Sequence, residues 1–202
     1  MTRMRALVPG AVSPVALAEA AEVLRGGGLV AFPTESFYGL GAHALNSEAL
    51  ARVFDVKGRP ESKPLLVLVD GVEMAETLAD EISADARALM TKHWPGALTL
   101  VLKARPHLPT ALTGGTGTVG VRMPGHPVAL GLVRAAVFPV TAPSANPSGQ
   151  PPPVTALAVR EYFGGRVDLI LDGGPTAGCA GSTIADCTSW PPRVLRQGPV
   201  YP

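Results

Sequence analysis

The chain is poor in charge, in aromatic residues and in cysteine, and each shortage narrows what it can be. Only 16% of its 202 residues are charged and the formal net charge is +1, so contact with nucleic acid would require a local basic patch. Aromatic residues make up 5% of the chain, which leaves little for a platform that stacks bases. The two cysteines, Cys179 and Cys187, show neither a CxxC spacing nor a disulfide framework, which is typical of a cytoplasmic protein.

Long hydrophobic runs are also missing, because no apolar run approaches the ~18 residues that a membrane helix needs. We therefore expect no membrane segment. The first twenty residues, MTRMRALVPGAVSPVALAEA, combine basic and apolar residues with a small-residue motif, which leaves a secretory signal peptide open. We favour a helix that is capped by Ser13, begins at Pro14 and ends at Gly26.

Short apolar runs alternate with helical patterns along the chain. Hydrophobic residues make up 47% of it, and its length is sufficient for one sizeable core, so we predict a single domain over residues 1–202. Strands that are apolar throughout need cover on both faces, so the pattern predicts an α/β fold with a twisted, open, mixed sheet and helices on both faces. The predicted strands are 28–33, 64–69, 97–104, 118–124, 138–146 (running into a polar loop), 167–174, 181–187 and 193–198; the predicted helices are 13–26, 46–58, 72–78, 84–93, 127–137 and 155–165; and 34–44 is predicted as a loop.

Several predicted strands end in small polar loops: PTESFYG, GTGTVGVRMPG, TAPSANPSG and GSTIAD. In open α/β sheets ligands bind beyond the strand ends, and backbone N–H groups of such loops suit phosphate. The segment KGRPESKPL adds three cations, Lys57, Arg59 and Lys63, ahead of a buried strand. Lys57 and Arg59 are spaced so that both can reach one polyphosphate. The same charges are also expected simply as solvated residues that favour a helix C-terminus.

No acid–base or nucleophile set stands out in the sequence. The segment APSAN lacks the GxSxG elbow, the four histidines are scattered, and no HExxH or paired-carboxylate pattern is present. A site made of cations and small polar groups would act by positioning and electrostatics, as is common in phosphoryl and nucleotidyl transfer.

Seven motifs in order resemble the threonylcarbamoyl-AMP synthase family, the YrdC-like domain. They are PTESFYGLG, KGRPESKPL, PGALTLVL, GTVGVRMPGHP, TAPSANPSG, GSTIAD and RVLRQGPV. The resemblance implies a YrdC-like fold and a nucleotidyltransferase that converts ATP, L-threonine and bicarbonate into threonylcarbamoyl-AMP and pyrophosphate, with Mg²⁺ accompanying ATP. It also implies that other proteins then transfer the threonylcarbamoyl group to tRNA, giving the threonylcarbamoyladenosine modification.

The resemblance further assigns residues to the site. Lys57 and Arg59 match the family's KxR pattern and would hold the phosphates and act in catalysis, whereas no residue is expected to bind a metal. The chain stops just past RQGPV and resembles the single-domain members, and Leu68 stands where many members carry a histidine. The remaining ATP-binding positions would be Lys63, Thr118, Ser144, Asn146 and Arg196, and L-threonine would be bound by Thr34, Ser36, Tyr38, Arg122 (through the carboxylate) and Ser182.

Two other functions stay open on the sequence alone. One is a module that holds double-stranded RNA or tRNA in a cationic concavity without catalysis, and a weak tRNA contact is compatible with an enzyme as well. The other is a carbamoyl-adenylate enzyme, because a similar domain occurs in larger hydrogenase-maturation carbamoyltransferases. Those chains carry zinc-finger-like cysteine clusters and an acylphosphatase-like portion, neither of which is present in this sequence.

Overall fold

The α/β class predicted from the sequence is confirmed by the computed structural model, which describes residues 2–8 and 12–202. Within these ranges, no helix combines the length and apolar character needed to cross a bilayer. The strands are β1 (Arg3–Ala6), β2 (Val30–Pro33), β3 (Tyr38–Gly41), β4 (Leu66–Leu68), β5 (Leu98–Lys103), β6 (Thr118–Arg122), β7 (Val140–Thr141), β8 (Leu169–Asp172), β9 (Thr183–Asp186) and β10 (Arg193–Arg196). The helices are α1 (Pro14–Arg25), α2 (Ser47–Lys57), α3 (Val72–Glu76), α4 (Ala84–His93), α5 (Thr110–Thr113), α6 (Pro127–Ala136) and α7 (Ala156–Phe163).

Helix α1 begins and ends where its predicted capping residues place it. Ser13 accepts a hydrogen bond from the N–H of Ala16 at the start of α1, and Pro14 occupies the first turn. Asn46 caps α2 in the same way through two backbone N–H groups. The end of α2 matters for function, because it delivers the KGRPESKPL segment to the sheet.

The strands form two mixed sheets rather than the single open sheet that the sequence predicted. Their orders are β1-β8-β2-β3 and β10-β9-β5-β6-β4-β7. The edge strands β3 and β7 meet, but their ladder is reduced to isolated bridges, Gly39 with Ser144 and His43 with Val140. Pro139 and Pro143 flank β7 and lack an N–H, so they accept from Ala44 and Leu40 without donating in return. The two sheets therefore join at an interrupted seam.

One predicted loop is in part a strand. Residues 34–44 include β3, which pairs antiparallel with β2, so the loop prediction was wrong for Tyr38–Gly41. Its glycines looked like loop residues, yet packing explains them: a Cβ on Gly41 would lie 2.8 Å from the ring of Phe32. Tyr38 and Leu40, which alternate with these glycines, are buried.

Two further elements, β1 and α5, were not predicted. Every residue of β1 is exposed, so the strand has no apolar pattern to reveal it, and it is placed by parallel pairing with β8. Helix α5 has only four residues, which is too short for a periodic pattern.

Helices cover both faces of the four-stranded sheet. Along β2, Val30 and Phe32 pack in an apolar cluster with α1 and α6, whereas Ala31 belongs to a larger cluster that includes residues of α2, α4 and α7. This agrees with the prediction of strands covered on both sides. The six-stranded sheet differs, since alternate residues of its central strands face a cavity instead of the core.

Candidate functional site

A cavity of about 430 Å³ lies on one face of the six-stranded sheet, next to the seam with the four-stranded sheet. Strand periodicity builds its floor, because successive side chains of a strand point to opposite faces. Val119 and Val121 of β6, for example, belong to the larger apolar core, while the residues between and beside them line the cavity. The cavity-facing residues of β4, β5, β6 and β9 are Leu66, Leu68, Thr99, Val101, Thr118, Gly120, Arg122 and Ile184.

Nine of the twelve residues assigned from the sequence lie on the wall of this cavity, although they come from distant parts of the chain. The loop between β2 and β3 and the segment around residue 144 close the cavity from the side of the seam. Leu68, the position at which the family resemblance implies a histidine in many members, is also on the wall. The nine residues are Thr34, Ser36, Tyr38, Arg59, Thr118, Arg122, Ser144, Ser182 and Arg196.

Lys57 is assigned to phosphate binding by the sequence but does not line the cavity. It is only 3% exposed, and its ammonium donates to the backbone carbonyls of Ser144 and Asn146, the latter at 2.6 Å. Burial, together with the charge of Arg59, lowers its pKa to about 8. In this position Lys57 anchors the PSAN segment to the end of α2.

Lys63 and Asn146 also lie off the cavity wall. Lys63 is exposed. Asn146 is buried, and its amide donates to the carbonyls of Pro147 at 2.9 Å and Gln150 at 2.7 Å, so it holds its own turn. Their assigned contacts with ATP stay predictions.

Arg59 is the one cation of KGRPESKPL that reaches the cavity wall in the described chain. Its guanidinium donates to the carbonyl of Pro64 at 3.0 Å and, more weakly, to that of Lys63 at 3.4 Å. Burial lowers the pKa of Arg59, but an arginine stays charged at neutral pH. The turn therefore presents a fixed positive charge to the cavity.

Arg122 supplies a second guanidinium from the floor, at the end of β6. It is 4% exposed, its Nε donates to the carbonyl of Gly96 at 2.8 Å, and its Nη2 lies 2.6 Å from Oε1 of Glu35. Burial alone would raise the pKa of Glu35, but the charge of Arg122 and a hydrogen bond from the N–H of Gly125 outweigh it and lower that pKa. Glu35 thus holds Arg122 as an ionised partner. Sequence reasoning missed Glu35, although it lies between Thr34 and Ser36 in the same motif.

The loop between β2 and β3 is tied to the segment 174–180. The hydroxyl of Ser36 donates to the carbonyl of Ala180 at 3.1 Å, and the carbonyl of Ser36 accepts from the N–H of Gly178 at 2.8 Å. Tyr38 donates its hydroxyl to the carbonyl of Gly174 at 2.7 Å, and burial, reinforced by the charge of Asp172, raises the pKa of that phenol. These bonds fix the loop between β2 and β3, which lines one end of the cavity.

A third guanidinium, that of Arg196 on β10, hydrogen-bonds to Ser182, the residue that precedes β9. Its Nε and Nη2 donate to the carbonyl of Ser182 at 3.0 and 2.8 Å, and its Nη2 also lies 3.2 Å from the hydroxyl of Ser182. A Cβ on Gly181 would lie 2.9 Å from Nη2, so a larger residue there would displace the guanidinium from this position. Burial, followed by the charge of Arg122, lowers the pKa of Arg196.

The charges on the wall are all of one sign. Three guanidiniums line the cavity, whereas the cavity-lining residues found in the described chain include no aspartate, glutamate, histidine or cysteine. Within residues 2–8 and 12–202 there is also no group of three or more His, Cys, Asp or Glu side chains that could hold a metal ion. Hydroxyl groups of serine and threonine make up most of the remaining polar wall. Such a cavity suits a ligand with several negative charges.

The fold and the cavity together define an α/β protein with a positively charged cavity beside the seam of two mixed sheets. The family follows from comparison with known proteins. The family model Sua5_yciO_yrdC, described as "Telomere recombination", matches residues 22–198, so the chain belongs to this family.

Similarity to individual proteins supports this family membership. The chain is 49% identical to a threonylcarbamoyl-AMP synthase of Pyrococcus abyssi over 89% of its own length and 53% of the relative. It is 45% identical to a putative threonylcarbamoyl-AMP synthase of Mycobacterium tuberculosis over 91% of its length and 84% of the relative. The crystal structure of P. abyssi Sua5 complexed with L-threonine superimposes with a TM-score of 0.93 at 45% identity, covering 98% of this chain and 58% of that one. The chain thus spans about half the length of the P. abyssi relative.

Proposed function

We propose that the chain is an L-threonylcarbamoyladenylate synthase, which makes threonylcarbamoyl-AMP and pyrophosphate from ATP, L-threonine and bicarbonate. The observation that carries the proposal is the cavity wall, where Arg59, Arg122 and Arg196 meet serine and threonine hydroxyls without any carboxylate among the described lining residues. Membership of the Sua5/YciO/YrdC family and the names of its relatives support the same reaction.

The chemistry proposed for this site is a direct displacement. The carboxylate of N-carboxy-threonine attacks the α-phosphorus of ATP, and the bond to pyrophosphate breaks. Among the described lining residues the serines lack a histidine that could activate them, so a covalent enzyme intermediate has no support. Fixed guanidiniums stabilise charge that develops on the departing pyrophosphate, and they act most strongly where water is excluded.

In the proposed division of the cavity, each substrate contacts the lining residues that the family resemblance assigns to it. Arg122 lies at the end lined by the loop between β2 and β3, where Glu35 of that loop contacts it, and it would pair with the carboxylate of L-threonine. Thr34, Ser36, Tyr38 and Ser182 also line the cavity and would complete that end. ATP occupies the part of the wall that carries Arg59, Thr118, Ser144 and Arg196.

The wider setting is also part of the proposal. Mg²⁺ would be bound together with ATP and would neutralise part of the phosphate charge. The reaction would take place in the cytoplasm, in keeping with two cysteines that are both free in the structure. Other proteins would transfer the threonylcarbamoyl group to tRNA.

Pyrophosphate release, measured with each substrate left out in turn, tests the proposal. We expect pyrophosphate and an AMP-linked product only when ATP, threonine and bicarbonate are all present, and no ADP. A module that only binds RNA would release no pyrophosphate. A carbamoyl-adenylate enzyme would release it with carbamoyl phosphate in the absence of threonine, so either result would reject the proposal.

A further inference from the structure

Two buried hydroxyl groups form a hydrogen-bonded pair on the floor of the cavity, and only one of the two residues was assigned to the site from the sequence. Oγ1 of Thr99 and Oγ of Ser182 are 2.8 Å apart, and each residue is 2% exposed. Both residues line the cavity. Thr99 interrupts a strand whose neighbouring leucines, Leu98 and Leu100, belong to the apolar core. The polar side chain at this position therefore faces the cavity and not the core.

The pair has one hydrogen to offer to a ligand. Two hydroxyl groups carry two hydrogens, and one of them lies in the bond between Thr99 and Ser182. Within the described chain neither hydroxyl donates to any other group, so the second hydrogen is free whichever residue donates. Arg196 already donates toward Oγ of Ser182, at 3.2 Å. The pair is therefore a donor in a positive environment, which favours an anionic oxygen over an ammonium group.

The pair also lies where two parts of the cavity meet. On one side is Arg122, on the neighbouring strand β6. Arg122 comes directly after Val121, and Val121 pairs with Leu100, which comes directly after Thr99 on β5. On the other side is Arg196, which grips Ser182 through both its carbonyl and its hydroxyl. In the proposed function the first arginine binds the amino acid and the second binds the nucleotide. A group that joins the two substrates must pass between these arginines.

We propose that the hydroxyl pair of Thr99 and Ser182, flanked by Arg122 and Arg196, is the subsite for bicarbonate and for the carbamate oxygen that replaces it. This inference rests on the proposed function. The free amine of threonine adds to the carbon of bicarbonate, the new N–C bond forms, and one oxygen leaves as water with a proton of the amine. The resulting carbamate keeps its negative charge, and the same donor holds it as an oxygen attacks the α-phosphorus.

Thr99→Val tests the subsite, because valine keeps the shape and the strand preference of threonine while removing the hydroxyl. Thr99→Ser is the matched control, since it restores the hydroxyl and lacks only a methyl group. Initial rates of pyrophosphate release are measured in bicarbonate-depleted buffer against added bicarbonate, with ATP and threonine saturating. We expect Thr99→Val to raise the KM for bicarbonate by about tenfold or more, as for loss of a hydrogen bond to a charged group. The KM for threonine and for ATP should change less than about twofold, and Thr99→Ser should stay close to the wild type.

Three results would overturn the inference while leaving the proposed function intact: an unchanged KM for bicarbonate in Thr99→Val, an equal rise in the KM for threonine, or a Thr99→Ser variant as impaired as Thr99→Val. The second would show that Thr99 reads the amino acid, and the third that packing alone matters. Wild-type release of pyrophosphate that does not depend on bicarbonate would reject the proposed function, and the subsite with it. If Thr99→Val folds poorly in a thermal melt, Thr99→Ala compared with Thr99→Ser gives the same contrast.

Discussion

Replacing Arg59 and Lys63 separately by alanine should separate a phosphate ligand from a nearby surface charge. Both cations belong to KGRPESKPL and lie four residues apart. Arg59 is on the cavity wall, whereas Lys63 is exposed and off it. The sequence motif assigned both residues to ATP, whereas the structure brings only Arg59 to the cavity wall in the described chain. The two variants therefore test which of these two expectations is correct.

The expected magnitude follows from the role of the guanidinium. A fixed donor that strengthens its contact in the transition state contributes roughly 2–4 kcal/mol, which corresponds to about a hundredfold loss of turnover or more when it is removed. Arg59→Ala also loses two bonds to exposed turn carbonyls, of Lys63 and Pro64, but water can replace these. Lys63→Ala removes an exposed, long-range charge and should cost less than about threefold, with the remaining effect disappearing as salt is raised.

The measurement is pyrophosphate release at saturating ATP, threonine and bicarbonate, with thermal melts to show that both variants are folded. Near-normal turnover in Arg59→Ala would refute the assignment of Arg59 to the leaving pyrophosphate. Equal losses in the two variants would show that only the overall charge of the turn matters, and that the position of Arg59 on the cavity wall is incidental.

Two further outcomes are expected. L-Threonine should bind at least about tenfold more tightly than L-valine in calorimetry, because the end of the cavity lined by Thr34 and Ser36 can hydrogen-bond the threonine hydroxyl and valine has no such group, and equal affinities would argue against hydroxyl recognition. The pKa of Lys57 falls from 10.5 in the unfolded chain to about 8 in the folded protein, so the unfolded state binds more protons between these values and stability rises with pH there. The free energy of unfolding of the wild type, compared with that of Lys57→Met, should therefore rise by roughly 2 kcal/mol between pH 7 and pH 10 in urea titrations. If the free energies of the two proteins changed with pH in parallel, the carbonyls of Ser144 and Asn146 would offset the cost of burying the ammonium.

The sequence was sufficient for features that depend on local chemistry. The cap Ser13 fixes where α1 begins, and the apolar runs identify most strands, because both signals lie within a few neighbouring residues. What it could not show depends on contacts between distant segments. The seam between the sheets arises where β7, flanked by two prolines, meets β3, and Gly41 of β3 is explained by its close contacts with Phe32 and Val140.

The same distinction applies to the site. The motifs named nine residues of the cavity wall, because each motif carries the polar groups that its strand or loop presents. The motifs did not reveal that the ammonium of Lys57 points toward backbone carbonyls and away from the cavity. They also did not reveal the contacts of Glu35 with Arg122 and of Thr99 with Ser182, because these partners lie far apart in the chain. The alternation of Thr99 with core leucines in LTLVLK was the available clue, and it identifies a cavity residue only once the neighbouring strands are known.

The anchor made by Lys57 has a consequence for how this family can vary. Because Lys57 binds the backbone oxygens of Ser144 and Asn146, it holds their segment in place whatever side chains stand there. Exchanging the side chain of Ser144 would alter the chemistry of the wall without releasing the anchor, whereas losing Lys57 would shift the wall without altering its chemical groups. Substitutions at position 144 can thus change the chemical groups of this part of the cavity, while substitutions at position 57 change its position, and the two effects are independent.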